Sequence, residues 1–315
     1  MSNLKLINMR DVEVEPICWL WYPFIPYGKV TIIQGDPGEG KTTLVLQIIA
    51  RLTKGESIID EDESLPINVI YQTAEDGLAD TIKPRLLAAN ADCSKVLVID
   101  DSDMPLTMRD ARLEQAIIET NAKLVVLDPI QGFLGADVDM HRANEIRPIM
   151  KHISELAEKY KCAIILIGHM NKCSVGKSAY RGLGSIDFQA AARSVLIIGR
   201  IKDEPEIRVV CQTKSSLAPE AKAVAFRLSE ENGFEWVGEY DVTADDLLSG
   251  TAKGTKKQVA MDFLESLLSG GQMSQTEIME LAERRNIAEK TLRNAKETLG
   301  VKSKRENNQW YWSLD

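Results

Sequence analysis

Gly35-Asp36-Pro37-Gly38-Glu39-Gly40-Lys41-Thr42-Thr43 reads G-x-x-x-x-G-K-T, the P-loop signature. The residues before it, Lys29 to Ile33, are β-branched and apolar and predict a buried strand. Those after it, Leu44 to Leu52, carry apolar residues at helical spacing, and Gly55 is placed to stop the helix. A strand, a glycine-rich loop and a helix start bring several backbone N–H groups together at the positive end of a helix dipole. Glycines at 35, 38 and 40 let the backbone curl without a Cβ in the way. Such a cradle suits a nucleoside triphosphate. Lys41 would reach the β- and γ-phosphates, and the Thr42 hydroxyl would ligate Mg²⁺.

Working outward, the alternation of elements predicts the fold. Asn68 to Thr73 reads as a second strand and ends in Ala74-Glu75-Asp76-Gly77. A helix is expected from Leu78 to Ala89, a short strand over Lys95 to Asp100, and a helix over Arg109 to Thr120. Leu124 to Asp128 is an unbroken apolar run ending in a carboxylate, the pattern of a strand buried on both faces of a parallel sheet. Asn144 to Lys161 is amphipathic, and Cys162 to Gly168 is a further buried strand followed by His169. Four later strands follow, over 194–199, 206–212, 223–228 and 234–240. The βαβα order implies a doubly wound α/β sheet, with the later strands extending one edge. The aromatic and proline-rich stretch Val12 to Tyr27 reads as a packed cover over a sheet edge; the alternative puts one ring near a nucleotide base.

The expected boundaries are 1–240 for this domain, 241–257 for a polar linker, and 258–315 for a small domain. The small domain reads as three short helices and a terminal hairpin, a winged-helix pattern. Ser274-Gln275-Thr276-Glu277 is a capping box opening its second helix. Its third helix offers Lys290, Arg293 and Lys296 as contacts for DNA, with a protein-docking role as the alternative.

Composition sets limits. Hydrophobic residues make up 44% of 315, enough for a substantial core. No run approaches the ~20 apolar residues of a membrane span, and Met1 to Arg10 lacks the apolar core of a secretory signal. The five cysteines form no C-x-x-C pair, which disfavours zinc sites and disulfide frameworks. A cytoplasmic location is the simplest expectation. Net charge is −9, unevenly spread: from Thr251 onward 11 Lys and Arg face 9 Asp and Glu, leaving 27 against 38 in the rest. An acidic body does not exclude DNA, because a basic channel can sit inside an acidic ring.

Triphosphate hydrolysis needs a Mg²⁺ ligand, a group to orient water, a γ-phosphate sensor and positive charge on the transition state. Asp128 fits the first role. Pro129 follows it, so the catalytic carboxylate must come from elsewhere, and Glu75 just past the second strand is the candidate, with Asp76 beside it. His169, at a strand's C-terminal end, fits the sensor.

Together these segments resemble the RecA/DnaB-type hexameric AAA-family ATPases, above all the compact RepA-like helicases of plasmids and mobile elements. The shared residues are the P-loop, Thr73-Ala74-Glu75-Asp76, Leu124 to Pro129, Gly168 to Lys172, Arg181 to Ser185, and the segment from Thr213. The likeness spans residues 15 to 230. It implies a RecA-like core using ATP and Mg²⁺, and a homo-oligomeric, hexameric ring on single-stranded DNA. Replication partners fall within the same expectation. It also implies that Arg193 acts as an arginine finger and Lys214 as a basic residue presented to the neighbouring site. His169 departs from the Gln of replicative helicases and matches the plasmid type. Loops 131–142 and 172–184, the latter with Lys172, Lys177 and Arg181, would face the channel. A recombination or repair ATPase without sustained unwinding, and a nucleotide-switched scaffold, stay open as alternatives.

Overall fold

The computed structural model describes residues 6–59, 64–170, 186–202, 204–249, 256–285, 287–306 and 309–314. The chain divides into two units, Met1–Gly199 with Val210–Ala221, and Arg200–Val209 with Lys222–Asp315.

Strands of the first unit are β1 (Trp19–Trp21), β2 (Ile25–Pro26), β3 (Val30–Gly35), β4 (Val69–Thr73), β5 (Val96–Leu97), β6 (Leu124–Asp128) and β7 (Ala163–His169). β8 (Ser194–Ile201) and β9 (Glu204–Ser215) belong partly to each unit. The helices are α1 (Lys41–Lys54), α2 (Lys83–Ala88), α3 (Ala111–Thr120), α4 (Ala143–Tyr160) and α5 (Ile186–Ala191). The sheet runs β8-β3-β7-β6-β4-β5, and each neighbouring pair is parallel. The expected parallel α/β sheet is present. β9 lies beside β8 on the side away from β3, with Thr213 Oγ1 donating to Val195 O.

Alternation along the strands divides the core between two faces. Val30, Ile32, Ile70, Val125, Leu127, Ile164 and Leu166 pack in one cluster with Leu113 of α3, Ile146, Ile149 and Ile153 of α4, and Phe188 of α5. The intervening residues Ile33, Val69, Tyr71, Val126 and Ile165 are equally buried, as are Leu44, Val45, Ile48 and Ile49 of α1. Each such aliphatic side chain contributes about 1.5–3 kcal/mol on burial. A sheet covered on both sides explains why its strands read as continuous apolar runs.

Local differences from the sequence reading have local causes. The strand expected over 95–100 shrinks to β5, preceded by a 3₁₀ turn capped by the Asp92 side chain. The helix expected from Leu78 begins with a π-helical turn, Leu78–Ile82, before α2. β1 and β2 form a small hairpin in which Trp21, Phe24 and Ile25 are buried. Gln212 Nε2 of β9 donates to Pro23 O at 3.2 Å, which ties this segment to an interior strand of the sheet rather than to its edge; Tyr22 is exposed.

The second unit carries β10 (Ala223–Ser229) paired antiparallel with β11 (Gly233–Tyr240), then α6 (Ala244–Ser249), α7 (Lys256–Leu268), β12 (Met273–Ser274), α8 (Gln275–Arg284), α9 (Glu289–Thr298), β13 (Lys302–Glu306) and β14 (Gln309–Ser313). The small sheet runs β12-β14-β13 and is antiparallel. Phe263, Leu264, Ile278, Leu292 and Trp312 form its core. Ser274 caps α8 by accepting from Glu277 N, as the capping box requires. α6 falls inside the stretch that composition marks as linker. Thr243 and Asp246 exchange side-chain and backbone hydrogen bonds at its start, a cap that polar composition conceals. Residues 250–255 of that stretch lie outside the described residues.

Candidate nucleotide-binding site

The C-terminal ends of β3, β4, β6 and β7 meet at one edge of the first unit, where ligands of open parallel sheets collect. After β3, Gly38 and Gly40 take positive φ of 80° and 86°, and Gly40 serves as the N-cap of α1. Gly35 is a glycine for another reason. A Cβ there would run into the carbonyl oxygen of Ile198 on β8, so packing rather than loop curvature fixes it. Lys41 Nζ donates to Gly35 O at 2.9 Å and Asp36 O at 2.8 Å. Its ammonium thus sits inside the loop's concavity. Burial lowers its pKa, opposed by the carboxylates of Asp128, Asp36, Glu39 and Glu75. Pro37, Glu39 and Thr43 complete the loop and helix start in the predicted positions.

Thr42, the first residue after Lys41 on α1, donates from Oγ1 to Asp128 Oδ2 at 2.7 Å. The same oxygen accepts from the hydroxyl of Tyr71 at 2.9 Å. Desolvation raises the Asp128 pKa, and the Thr42 and Tyr71 hydrogen bonds pull it back down. Tyr71 is fully buried on β4, and burial next to Asp128 drives its own pKa far up. It is therefore a permanent donor. Hydrogen bonds to a charged acceptor are worth about 1.5–3 kcal/mol, so the two hydroxyls fix the carboxylate's orientation. Sequence reading missed Tyr71 because it lies in the middle of a strand. The signal was there: a lone hydroxyl in Val69-Ile70-Tyr71 one strand from the Asp128 run.

Register brings the remaining residues to the same edge. Thr73 pairs with Asp128, and Ala74 N donates to Asp128 O at 3.0 Å, which carries Glu75 past the sheet. Gly35 pairs with His169. His169 Nε2 lies 3.9 Å from Glu75 Oε2, while Asp76 turns to Arg85 instead. His169 Nδ1 and Gln131 Oε1 are buried without a hydrogen-bond partner among the described residues. Buried polar atoms of this kind await a ligand or water. The donor set, one hydroxyl and one carboxylate of hard oxygen, fits Mg²⁺, which takes few protein ligands beside phosphate and water. The residues present therefore fit a magnesium–nucleoside triphosphate: Lys41 and the loop for the phosphates, Thr42 and Asp128 for the metal.

Arg193 and Lys214 do not join this group. Arg193 N donates to Val30 O at the start of β3, and Thr31 pairs with Ser194. Both facts put Arg193 at the opposite end of the sheet, a strand length or roughly 17 Å from Gly35. Ser216 N donates to Arg193 O, and Lys214 Nζ donates to the α5 carbonyls of Gln189 and Ala190 at 2.8 and 2.9 Å. Burial and the neighbouring Arg193 charge lower the Lys214 pKa. The two cations are thus together, away from their own P-loop.

Of the residues expected at DNA, Lys172, Lys177 and Arg181 lie outside the described residues. In the loop over 131–142, Phe133 and Leu134 are buried, so its first part belongs to the core. On α9, Arg293 pairs with Glu289 at 2.6 Å, and Lys296 lies over the Trp312 ring at 4.4 Å; Lys290 is exposed.

Comparison with known proteins agrees with this geometry. The DNA repair protein RadA of Halalkalibacterium halodurans is 28% identical over 148 residues, covering 46% of this chain and 28% of that one. Protein RecA of Solidesulfovibrio magneticus is 24% identical over 232 residues, covering 68% of this chain and 62% of that one. The chain thus spans less than two thirds of the length of either relative. A KaiC-like protein from Pyrococcus horikoshii shares the fold, with a TM-score of 0.51 at 18% identity, over 70% of this chain and 99% of that one. Residues 3–175 match the AAA domain family AAA_25. With that match over more than half its length, the chain belongs to the AAA domain family as a RecA-like P-loop ATPase, with ATP and Mg²⁺ as its cofactors.

Proposed function

We propose that the chain is an ATP-driven motor on DNA that works as an oligomer, each active site being completed by a neighbour. The observation that carries this reading is the location of Arg193 and Lys214, adjacent to each other and a strand length from Lys41 in the same chain. Among the described residues neither cation serves its own site, and in this reading a second subunit supplies the cation at the γ-phosphate. Within the site, Lys41 binds the phosphates, Thr42 and Asp128 hold Mg²⁺, and Glu75 takes the proton of the attacking water. His169 relays the state of the γ-phosphate to the loop that follows β7. Mg²⁺ supplies charge neutralisation at the phosphates.

The finer reading from motif resemblance is a RepA-like hexameric helicase or translocase of a mobile element, acting on single-stranded DNA in the cytoplasm with replication partners. The RadA and RecA matches support a second reading at least as well, a recombination or repair ATPase without sustained unwinding. In both, the three helices and hairpin of the second unit act as a winged-helix domain within 258–315, after an ATPase domain over 1–240 and a linker over 241–257. Among the described residues no helix is long and apolar enough to cross a membrane.

Turnover of ATP with and without single-stranded DNA, followed by strand displacement on a forked duplex, tests the proposal. Stimulated turnover with displacement supports the helicase; stimulated turnover without it supports the repair ATPase. Turnover indifferent to DNA would sink both in favour of a nucleotide-switched scaffold.

A further inference from the structure

The hairpin of the second unit treats its tryptophans differently. Trp312 is 2% exposed and closes the core, whereas Trp310 is 47% exposed. The register explains the contrast: Ser303 pairs with Trp312 and Arg305 with Trp310, so all four side chains share one face. The first pair lies over the core, and the second, about 7 Å further along the strands, overhangs it.

α9 adds a held cation at the base of that overhang. Lys296 lies over the Trp312 ring and donates to Ser303 Oγ, which ties its ammonium to the base of the hairpin. Burial and the charge of Arg293 one turn earlier both lower its pKa, and no carboxylate is among the influences on it. Arg293 is itself braced by Glu289. The contacts with Trp312 and Ser303 take Lys296 out of the extended pose that a helix reading bases in a major groove requires, while the exposed ion pair of Arg293 opens at little cost to an incoming phosphate. The Lys296 ammonium thus sits on the same strand face as the exposed indole, one residue pair away. An aromatic ring for a base and held cations for phosphates is the chemistry of single-strand binding without sequence readout.

We propose that Trp310, Arg305, Lys296 and Arg293 form a binding edge for single-stranded DNA, with Trp310 stacking on a base and the cations facing phosphates. The inference rests on the reading of the chain as a DNA-acting ATPase and adds a second, nucleotide-independent contact to it.

Fluorescence anisotropy of fluorescein-labelled oligo(dT) with the full chain, in the absence of ATP, tests it. Trp310→Ala should weaken binding about tenfold, and Trp310→Phe, which keeps a ring, by clearly less. Arg305→Ala should lower the slope of log K against log salt by about one. Oligo(dT) should quench tryptophan emission in the unaltered chain and do so much less in Trp310→Phe, a readout that survives if Trp310→Ala fails to fold. Unchanged affinity in Trp310→Ala overturns this edge and leaves the motor reading standing. So does equal weakening in Trp310→Ala and Trp310→Phe. Failure of the unaltered chain to bind oligo(dT) with or without ATP overturns both.

Discussion

The two ends of the parallel sheet in the first unit are made by the same strands yet hold their charge in opposite ways. At the C-terminal end, one ammonium, Lys41, is caged by two carbonyls and feels four carboxylates. At the N-terminal end, Arg193 and Lys214 are neighbours, and no carboxylate is among the influences on Lys214. The first end is acidic around a buried cation, ready for a metal and a phosphate. The second is a like-charge pair whose Lys214 ammonium rests on the α5 carbonyls of Gln189 and Ala190. The contrast teaches that, among the described residues, a P-loop end can be well formed while Arg193 and Lys214 stand a strand length away from it. In the proposed reading, the pieces of one site come from opposite ends of the sheet in two subunits.

The largest expected effect removes the first end outright. Lys41→Ala takes away the ammonium that fills the loop and should cut turnover by at least about a hundredfold, measured by phosphate release. A normal rate would show that the P-loop end is not the chemical site. The second prediction asks whether the two ends meet across a subunit boundary. Arg193→Ala alone should lower turnover by about a thousandfold, and Glu75→Gln should bind ATP without turning it over. In mixtures, a site with Glu75 from one variant and Arg193 from the other is intact, so part of the activity should return. No return at any ratio would remove the sharing argument and make Arg193 a structural cation.

How much was legible in the sequence follows from what each residue's signal depends on. Asp128 and the P-loop stand at the junction of an apolar run and a turn, so periodicity alone locates them. Glu75 and His169 needed one further step, that parallel strands in register deliver their last residues to a common edge. Three things were not legible. The reason for Gly35 is a contact with Ile198, over 160 residues along the chain. Tyr71 acts through a hydrogen bond between strands that no local pattern announces. Trp310 and Trp312, two residues apart with the same side chain, differ because the core ends between them. Sequence fixes the face of a strand by alternation, but how far along that face the core reaches depends on what packs from elsewhere.

Tyr71 gives the smallest and most discriminating test of the site end. Its hydroxyl and that of Thr42 favour the charged form of Asp128 against the desolvation that disfavours it. Tyr71→Phe removes one of the two donors and keeps the ring in the core, so the fold should hold. The carboxylate then loses a partner to its ionised form, and its pKa rises further. The acidic limb of the pH profile of kcat/KM should therefore move to higher pH. The Mg²⁺ concentration giving half-maximal binding of a fluorescent ATP analogue should rise by about five- to tenfold. Each direction follows from the same lost bond, and the Mg²⁺ titration reads it without any turnover. A lower kcat with an unmoved limb and unchanged Mg²⁺ dependence would mean that Tyr71 only fills space, and that Thr42 alone orients Asp128.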